Sequence, residues 1–266
     1  MGHVLARLLE DRHRLRPRAG FAGHEANYAR LLAGEIDLYS EYLGTALRRF
    51  LGLPPARGAE ATYRLVRAAA RERSDVVWLP PYGFNNSYAV IVRAPLAREL
   101  GLARVSDLAP HAGGLRLGGT EELLSGAPAL TFAPGGYPGW QQTYGFAFGT
   151  LMPLPRGYGA TFAALGRGEV DAIVDFPVNP AMVALDLTEL ADDRAFFAPY
   201  FAAPVVRGAY LAAHPQIEAT LAELAGRVDN RRAAELNHAV EIAGQPPEAV
   251  AANLLRQLGL LAGGAR

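Results

Sequence analysis

The feature that most constrains this chain is an alternation, sustained from end to end, of short apolar runs with longer segments of helical periodicity. In "HEANYARLLAGE", Tyr28, Leu31 and Leu32 share one helical face and Gly34 ends the pattern; "IDLYSEY" follows as a strand and "GTALRRFLG" as a helix. "ATYRLVRAAARER" leads as a helix into the buried strand "DVVWL", and the strand "YAVIVR" into helical "APLARELG" and "VSDLAPHAG", the latter with Ser106 as N-cap. Past Gly118 the breakers "GGT", "SGAPA" and "APGGYPG" loosen the pattern, before the helices "GWQQTYG" and "ATFAALGRGE" and the strand "VDAIVDF". Three helices close the chain, with Asp229 capping the second and Pro246 and Pro247 opening the third. Short strands separated by helices predict an α/β fold with mostly parallel sheets.

Composition narrows the chemistry. The 266 residues are enough for one large domain or two ordinary ones. Net charge is zero with no basic or acidic block, so neither nucleic acid nor a membrane surface is an expected partner. Every basic residue is arginine, which excludes a lysine Schiff base or a phosphate-loop lysine, and the absence of cysteine excludes disulfides and thiolate chemistry. No apolar run approaches the roughly 18 residues of a membrane span. The start, "MGHVLARLLEDRHRLRPR", reads as an amphipathic helix and not as a signal peptide, so the chain is expected either to be cytoplasmic or to lack its true N-terminus.

Two segments share one form. "AGEIDLYSEY" and "RGEVDAIVDF" each run from a helix end through an acidic residue in an apolar strand to a terminal aromatic, Tyr42 and Phe176. Ligands of open α/β sheets bind beyond the carboxyl ends of strands, so this repetition suits two lobes facing a cleft.

The order "GEIDLYSEYLGTAL", "WLPPYGFNNSYAV", "GEVDAIVDF", "LADDRAFFAPYFAAPVVR" and a helical tail closely resembles the glycine betaine/choline/proline-type substrate-binding proteins of ABC importers, from about Ala6 to Leu260. The resemblance implies a type II periplasmic-binding-protein fold: residues 1–84 and 198–266 forming one α/β lobe, 85–197 the other, two crossovers, and a ligand cleft between the lobes. It further implies an extracytoplasmic protein that delivers an osmolyte to ABC permease subunits, without a cofactor or metal. Its aromatic box falls on Tyr42, Tyr88, Phe176 and Tyr200, with Thr45 and Asn86 as polar lining. Aromatic faces suit a trimethylammonium group, which carries charge but has no N–H to donate; each contact is worth roughly 0.5–2 kcal/mol.

Departures from the family pattern matter as much. "FPVN" at Phe176–Asn179 stands where the family commonly has "YSTD", so a hydroxyl is lost. Where the family often places a carboxylate-gripping arginine, this chain has Ala133. The family's opening strand and its polar segment have no counterpart before Gly2, which implies a first-lobe sheet lacking its first strand. A preserved cation box with a weak anion site favours choline-like ligands over glycine betaine, unless Arg207 swings in.

Other residues read more plainly. Trp78 sits in a buried strand and Trp140 in a helix start within reach of the cleft. The histidines lack metal-ligand spacing and read as surface or capping residues, although the turn "AGHEAN" around His24 aligns with a family segment near the cleft. Asp192 and Asp193, neighbours on a turn, read as solvated. The glycines around 113–119 make no nucleotide fingerprint. An enzyme on the same two-lobed fold, resembling menaquinone-pathway enzymes, is an alternative, although no nucleophile–base pair is visible. A sensor or permease-fused binding domain is another.

Overall fold

The computed structural model describes residues 1–13, 22–54, 56, 58–126, 133–155 and 159–261. The arginine-rich stretch 14–18 and the breaker "SGAPA" from residue 127 onward lie outside the described residues. The chain divides into two compact units: Met1–Asn85 with Tyr200–Arg266, and Asn86–Pro199. It therefore crosses between units twice, at Asn85–Asn86 and at Pro199–Tyr200.

Among the described residues there are eight strands: β1 Leu38–Tyr42, β2 Val76–Trp78, β3 Ala89–Arg93, β4 Arg116–Thr120, β5 Thr150–Leu154, β6 Ala172–Asp175, β7 Leu187–Leu190 and β8 Ala202–Arg207. The first unit's sheet has the order β1-β8-β2, and β8 is antiparallel to both neighbours. The second unit's sheet has the order β5-β4-β6-β3-β7; β4 runs parallel to β5 and β6, while β3 is antiparallel to β6 and β7. The expectation of mostly parallel sheets is thus corrected. The strand that follows each crossing, β3 or β8, enters its sheet against the direction of its neighbours. A helix–strand alternation in sequence carries no mark of that reversal.

In the first unit the helix Ala59–Ser74 turns Val66, Ala69 and Ala70 onto the sheet at helical spacing, where they meet Trp78, Val205 and Leu43. It ends on Asp75, which takes the left-handed cap conformation (φ 50°). Leu31, Leu43 and Val66 are completely buried there, each contributing roughly 1.5–3 kcal/mol of transfer free energy. The helix Gly2–His13 presents Leu5, Leu8 and Leu9 to the C-terminal helix Pro247–Gln257 and to Gln216–Ala222. Asp229 caps Asn230–Glu241 through the backbone N–H of Arg232 at 2.8 Å, as its position predicts.

The second unit buries Val90, Val92 and Leu117 from its strands against Leu102, Val105 and an aromatic group centred on Trp140. Trp140, 3 % exposed, stacks with Tyr137 and Phe148 and meets the edge of Phe146. It is a core residue, not a wall of a binding site.

The segment "VSDLAPHAG" forms two 3₁₀ turns, Val105–Leu108 and Ala112–Gly114, not one helix. Its cap is Asp107, whose carboxylate accepts from the backbone of Ala103 and Arg104, so Ser106 is not the N-cap. Ser106 instead donates its backbone N–H to Asp193. Asp192, expected in solvent, accepts from the backbone of Phe196 and Phe197 and from the Tyr144 hydroxyl, and so ties the second crossing segment to the core.

Candidate functional site

Strand alternation places the first unit's candidate residues. In β1, Tyr39 and Glu41 point to the buried face, and Leu38, Ser40 and Tyr42 to the other. The β1–β8 register pairs Tyr42 with Ala202, so one step further Leu43 faces Phe201 and a second step sets Gly44 against Tyr200. The Tyr200 ring lies on that glycine: a Cβ added to Gly44 would stand 2.1 Å from Cδ2. From there Tyr200 stacks on Tyr42, with centroids 5.1 Å apart and an interplanar angle of 24°, and its hydroxyl makes a short hydrogen bond with that of Thr45. The backbone widens into a π-helical turn at Ala46–Phe50 directly after Thr45. Such turns recur at functional sites.

Two further rings belong to this group: Phe84, which the sequence did not mark, and His24, whose turn aligns with a family segment near the cleft. Phe84 meets the Tyr42 ring edge-on at 6.5 Å, and His24 lies 6.2 Å from it. A groove of about 1150 Å³ counts His24, Glu41, Tyr42 and Phe84 among its lining residues.

The asparagines of "GFNNSY" have separate tasks. Asn85 donates its backbone N–H to Asn230 and accepts the backbone N–H of Tyr200 on Oδ1, each at 2.6 Å. It holds the backbone of an aromatic residue at the crossing. Ser87, fully buried, donates to the carbonyl of Ala198 in the second unit. Asn86 opens the second unit and is partly buried.

The second unit repeats the arrangement with its own register. β3 and β6 pair Ala89 with Asp175, so Tyr88 and Phe176 stand opposite each other one residue beyond the ladder. Their rings are 4.8 Å apart at 41°. The six candidate residues thus fall into two groups: Tyr42, Thr45 and Tyr200 in contact within the first unit, and Tyr88 and Phe176 in contact within the second, beside Asn86.

Burial raises the Tyr200 hydroxyl above the ordinary tyrosine range, which keeps it neutral and able to donate. Glu41 is fully buried; its carboxylate accepts from His24 Nδ1 at 2.8 Å, from the Tyr42 backbone N–H at 2.7 Å and from the Tyr39 hydroxyl at 3.3 Å. His24 is therefore not a bare surface histidine. Burial pushes the Glu41 carboxyl up. Arg207 forms an ion pair with Asp37. Ala133 is buried and offers no charge. Among the described residues no group of three or more His, Cys, Asp or Glu side chains is placed to hold a metal ion.

A chain that folds as two α/β units joined by two crossings, each carrying a pair of aromatic rings at strand ends, has the build of a small-molecule binding protein of the type II periplasmic class. Residues 1–257 match the family described as the substrate binding domain of ABC-type glycine betaine transport system, and the chain belongs to that family. It is 30 % identical over 86 % of its length to a glycine-betaine-binding protein of Pseudomonas aeruginosa, covering 74 % of that protein. It is 27 % identical over 98 % of its length to the ergothioneine transport permease/ergothioneine binding protein EgtU of Helicobacter pylori, of which it spans only 45 %. The solved structure of a glycine betaine/carnitine/choline ABC transporter superposes with a TM-score of 0.86 at 28 % identity, covering 97 % of this chain and 93 % of the other.

Proposed function

We propose that this chain binds a quaternary ammonium solute, holding the cationic head against Tyr42 and Tyr200 from the first unit and Tyr88 and Phe176 from the second. The observation that carries this reading is the pair of ring contacts, Tyr42–Tyr200 and Tyr88–Phe176, each at the end of a strand. Several rings on one trimethylammonium multiply a contact worth roughly 0.5–2 kcal/mol and disfavour small hydrated cations. Thr45 and Asn86 orient the ligand's other end. The bound solute is handed to an ABC permease outside the cytoplasmic membrane. The relation to EgtU, a permease and binding protein in one chain, supports a fused arrangement as the second form of the same function.

Within the class we favour choline-like ligands over glycine betaine. A carboxylate closed into a site without a cationic partner costs several kcal/mol in order of magnitude, whereas a hydroxyl needs one ordinary hydrogen bond worth roughly 1 kcal/mol. Ala133 supplies no partner, and Arg207 is held by Asp37. Titration calorimetry against choline, glycine betaine, carnitine, ergothioneine and proline tests the reading. Choline is expected to bind tightest. Tight glycine betaine with weak choline binding refutes the preference, and binding of no quaternary ammonium compound refutes the function.

A further inference from the structure

Each of the two look-alike strands carries two acidic residues, and the structure treats them differently. The acid at the start of each strand is neutralised by arginine. Asp37 pairs with Arg207; Asp171 pairs with Arg93 at 3.2 Å and with Arg116 at 2.9 Å. Among the described residues the acid at the end of each strand forms no ion pair with an arginine; Arg49 acts on Glu41 only at longer range and is itself paired with Glu25. Glu41 precedes Tyr42, and Asp175 precedes Phe176. Each accepts a 2.7 Å hydrogen bond from the backbone N–H of the aromatic that follows it. Glu41 is further held by His24 and Tyr39, and Asp175 by a short bond from the Thr161 hydroxyl. Burying a carboxylate without a matching cation is costly. The basic partner of Glu41 is a histidine and Asp175 has none among the described residues, so the strand-end acids are less fully balanced than the strand-start acids and favour a further cation nearby.

We propose that Glu41 and Asp175 are positioning and charge-supplying residues of the ligand site: each fixes the backbone of a ring that faces the ligand and adds a negative field that selects a cation over a neutral molecule of the same shape. This inference rests on the quaternary ammonium reading above. The two residues act through the rings and through space, not by touching the ligand. Burial raises both carboxyl groups above the ordinary carboxylate range, and a cation nearby lowers them again, so binding and proton release are coupled. Around Glu41 the charged and titratable groups are His24, Tyr39 and Tyr200, with Arg49, which pairs with Glu25, further off. Asp175 has only the Thr161 hydroxyl and the Phe176 N–H against it among the described residues. A proton taken up by Glu41 or Asp175 removes one unit of negative charge, so acid weakens cation binding.

The test compares choline with 3,3-dimethyl-1-butanol, its neutral carbon isostere, on the wild-type chain and on Glu41→Gln, Asp175→Asn and the double variant. At pH 8 each substitution is expected to weaken choline about tenfold, the effect of a unit charge some 10 Å away at an effective dielectric constant near 20, and to leave the isostere within about twofold. The wild-type preference for choline over the isostere should shrink from pH 8 to pH 5, and shrink less in the double variant. Equal losses for both ligands, or a wild-type preference independent of pH, overturn this proposal alone. Failure of the wild-type chain to bind choline or any other quaternary ammonium compound overturns it together with the functional reading. Because Glu41→Gln alters a buried group, the Asp175→Asn variant and the wild-type pH series decide the matter even if that variant does not fold.

Discussion

Gly44→Ala isolates the contribution of one ring. The new Cβ would stand 2.1 Å and 2.2 Å from Cδ2 and Cε2 of Tyr200, whereas carbons pack at roughly 3.5–4.0 Å, so the ring must retreat by about 1.5 Å. Its backbone cannot follow easily, since Asn85 holds the Tyr200 N–H at 2.6 Å. The ring instead rotates away and loses two interactions. The hydrogen bond to Thr45 is worth roughly 1 kcal/mol and the stack on Tyr42 roughly 0.5–1.5 kcal/mol. Against this, alanine gains up to about 1 kcal/mol of helix propensity over glycine in the short turn Leu43–Thr45. The net cost to stability is about 1 kcal/mol, or a fall of roughly 2–4 °C in Tm for a chain of this size. Ligand binding suffers more. Removing one ring from a cation costs roughly 0.5–2 kcal/mol, a loss of about 2- to 30-fold in choline affinity. Calorimetry on Gly44→Ala, Tyr200→Ala and the double variant completes a cycle. If Gly44 acts through Tyr200, the double variant binds no worse than Tyr200→Ala alone. Additive losses, or an unchanged affinity in Gly44→Ala, refute the reasoning.

Three other outcomes are expected. Asp171, whose carboxyl is pulled down to about 2 chiefly by Arg116, stabilises the second unit with its charge, so its contribution is complete above pH 4 and disappears as pH falls toward 2. Asp171→Asn should cost about 1–2 kcal/mol at pH 7, less than a dry pair because Arg116 faces solvent, and urea titrations should show the difference closing between pH 4 and pH 2. Gly83→Ala should lower Tm by several degrees, because Gly83 has φ 126° and an added Cβ would meet the Val228 carbonyl at 2.9 Å; an unchanged melting curve would falsify that account. Phe176→Ala and Tyr88→Ala should each weaken choline binding roughly 2- to 30-fold and couple in a double-mutant cycle, since their rings touch; strictly additive losses would mean that the contact carries no weight in binding.

The sequence made the residue types legible but not the partnerships between them. Tyr42 and Phe176 stood out because each ends an apolar strand, and the structure gives each a ring partner. The partner's identity depends on register: Tyr200 meets Gly44 only because β8 runs antiparallel to β1, and Tyr88 meets Phe176 only because β3 runs antiparallel to β6. Helical periodicity and strand alternation contain no information about strand direction, so the sheets read as parallel. Trp140 looked available because glycine and proline flank it, yet five aromatic residues within a dozen positions collapse into one core group. Asp192 looked solvated, as the neighbouring Asp193 is, because local spacing cannot show that the backbone N–H groups of Phe196 and Phe197 need an acceptor. Glu41 was hidden by the same alternation that exposed Tyr42, being the strand's inward neighbour. The pairing of His24 with it joins residues 17 positions apart, beyond any local pattern.

The central claim is that rings from both units hold one cationic head, and a crystal structure of the chain grown with choline tests it most directly. The account predicts the choline nitrogen within about 6 Å of the ring centroids of Tyr42, Tyr88, Phe176 and Tyr200, with the hydroxyl hydrogen-bonded to Thr45 or Asn86. Choline bound away from these rings, or contacting those of one unit alone, would contradict it.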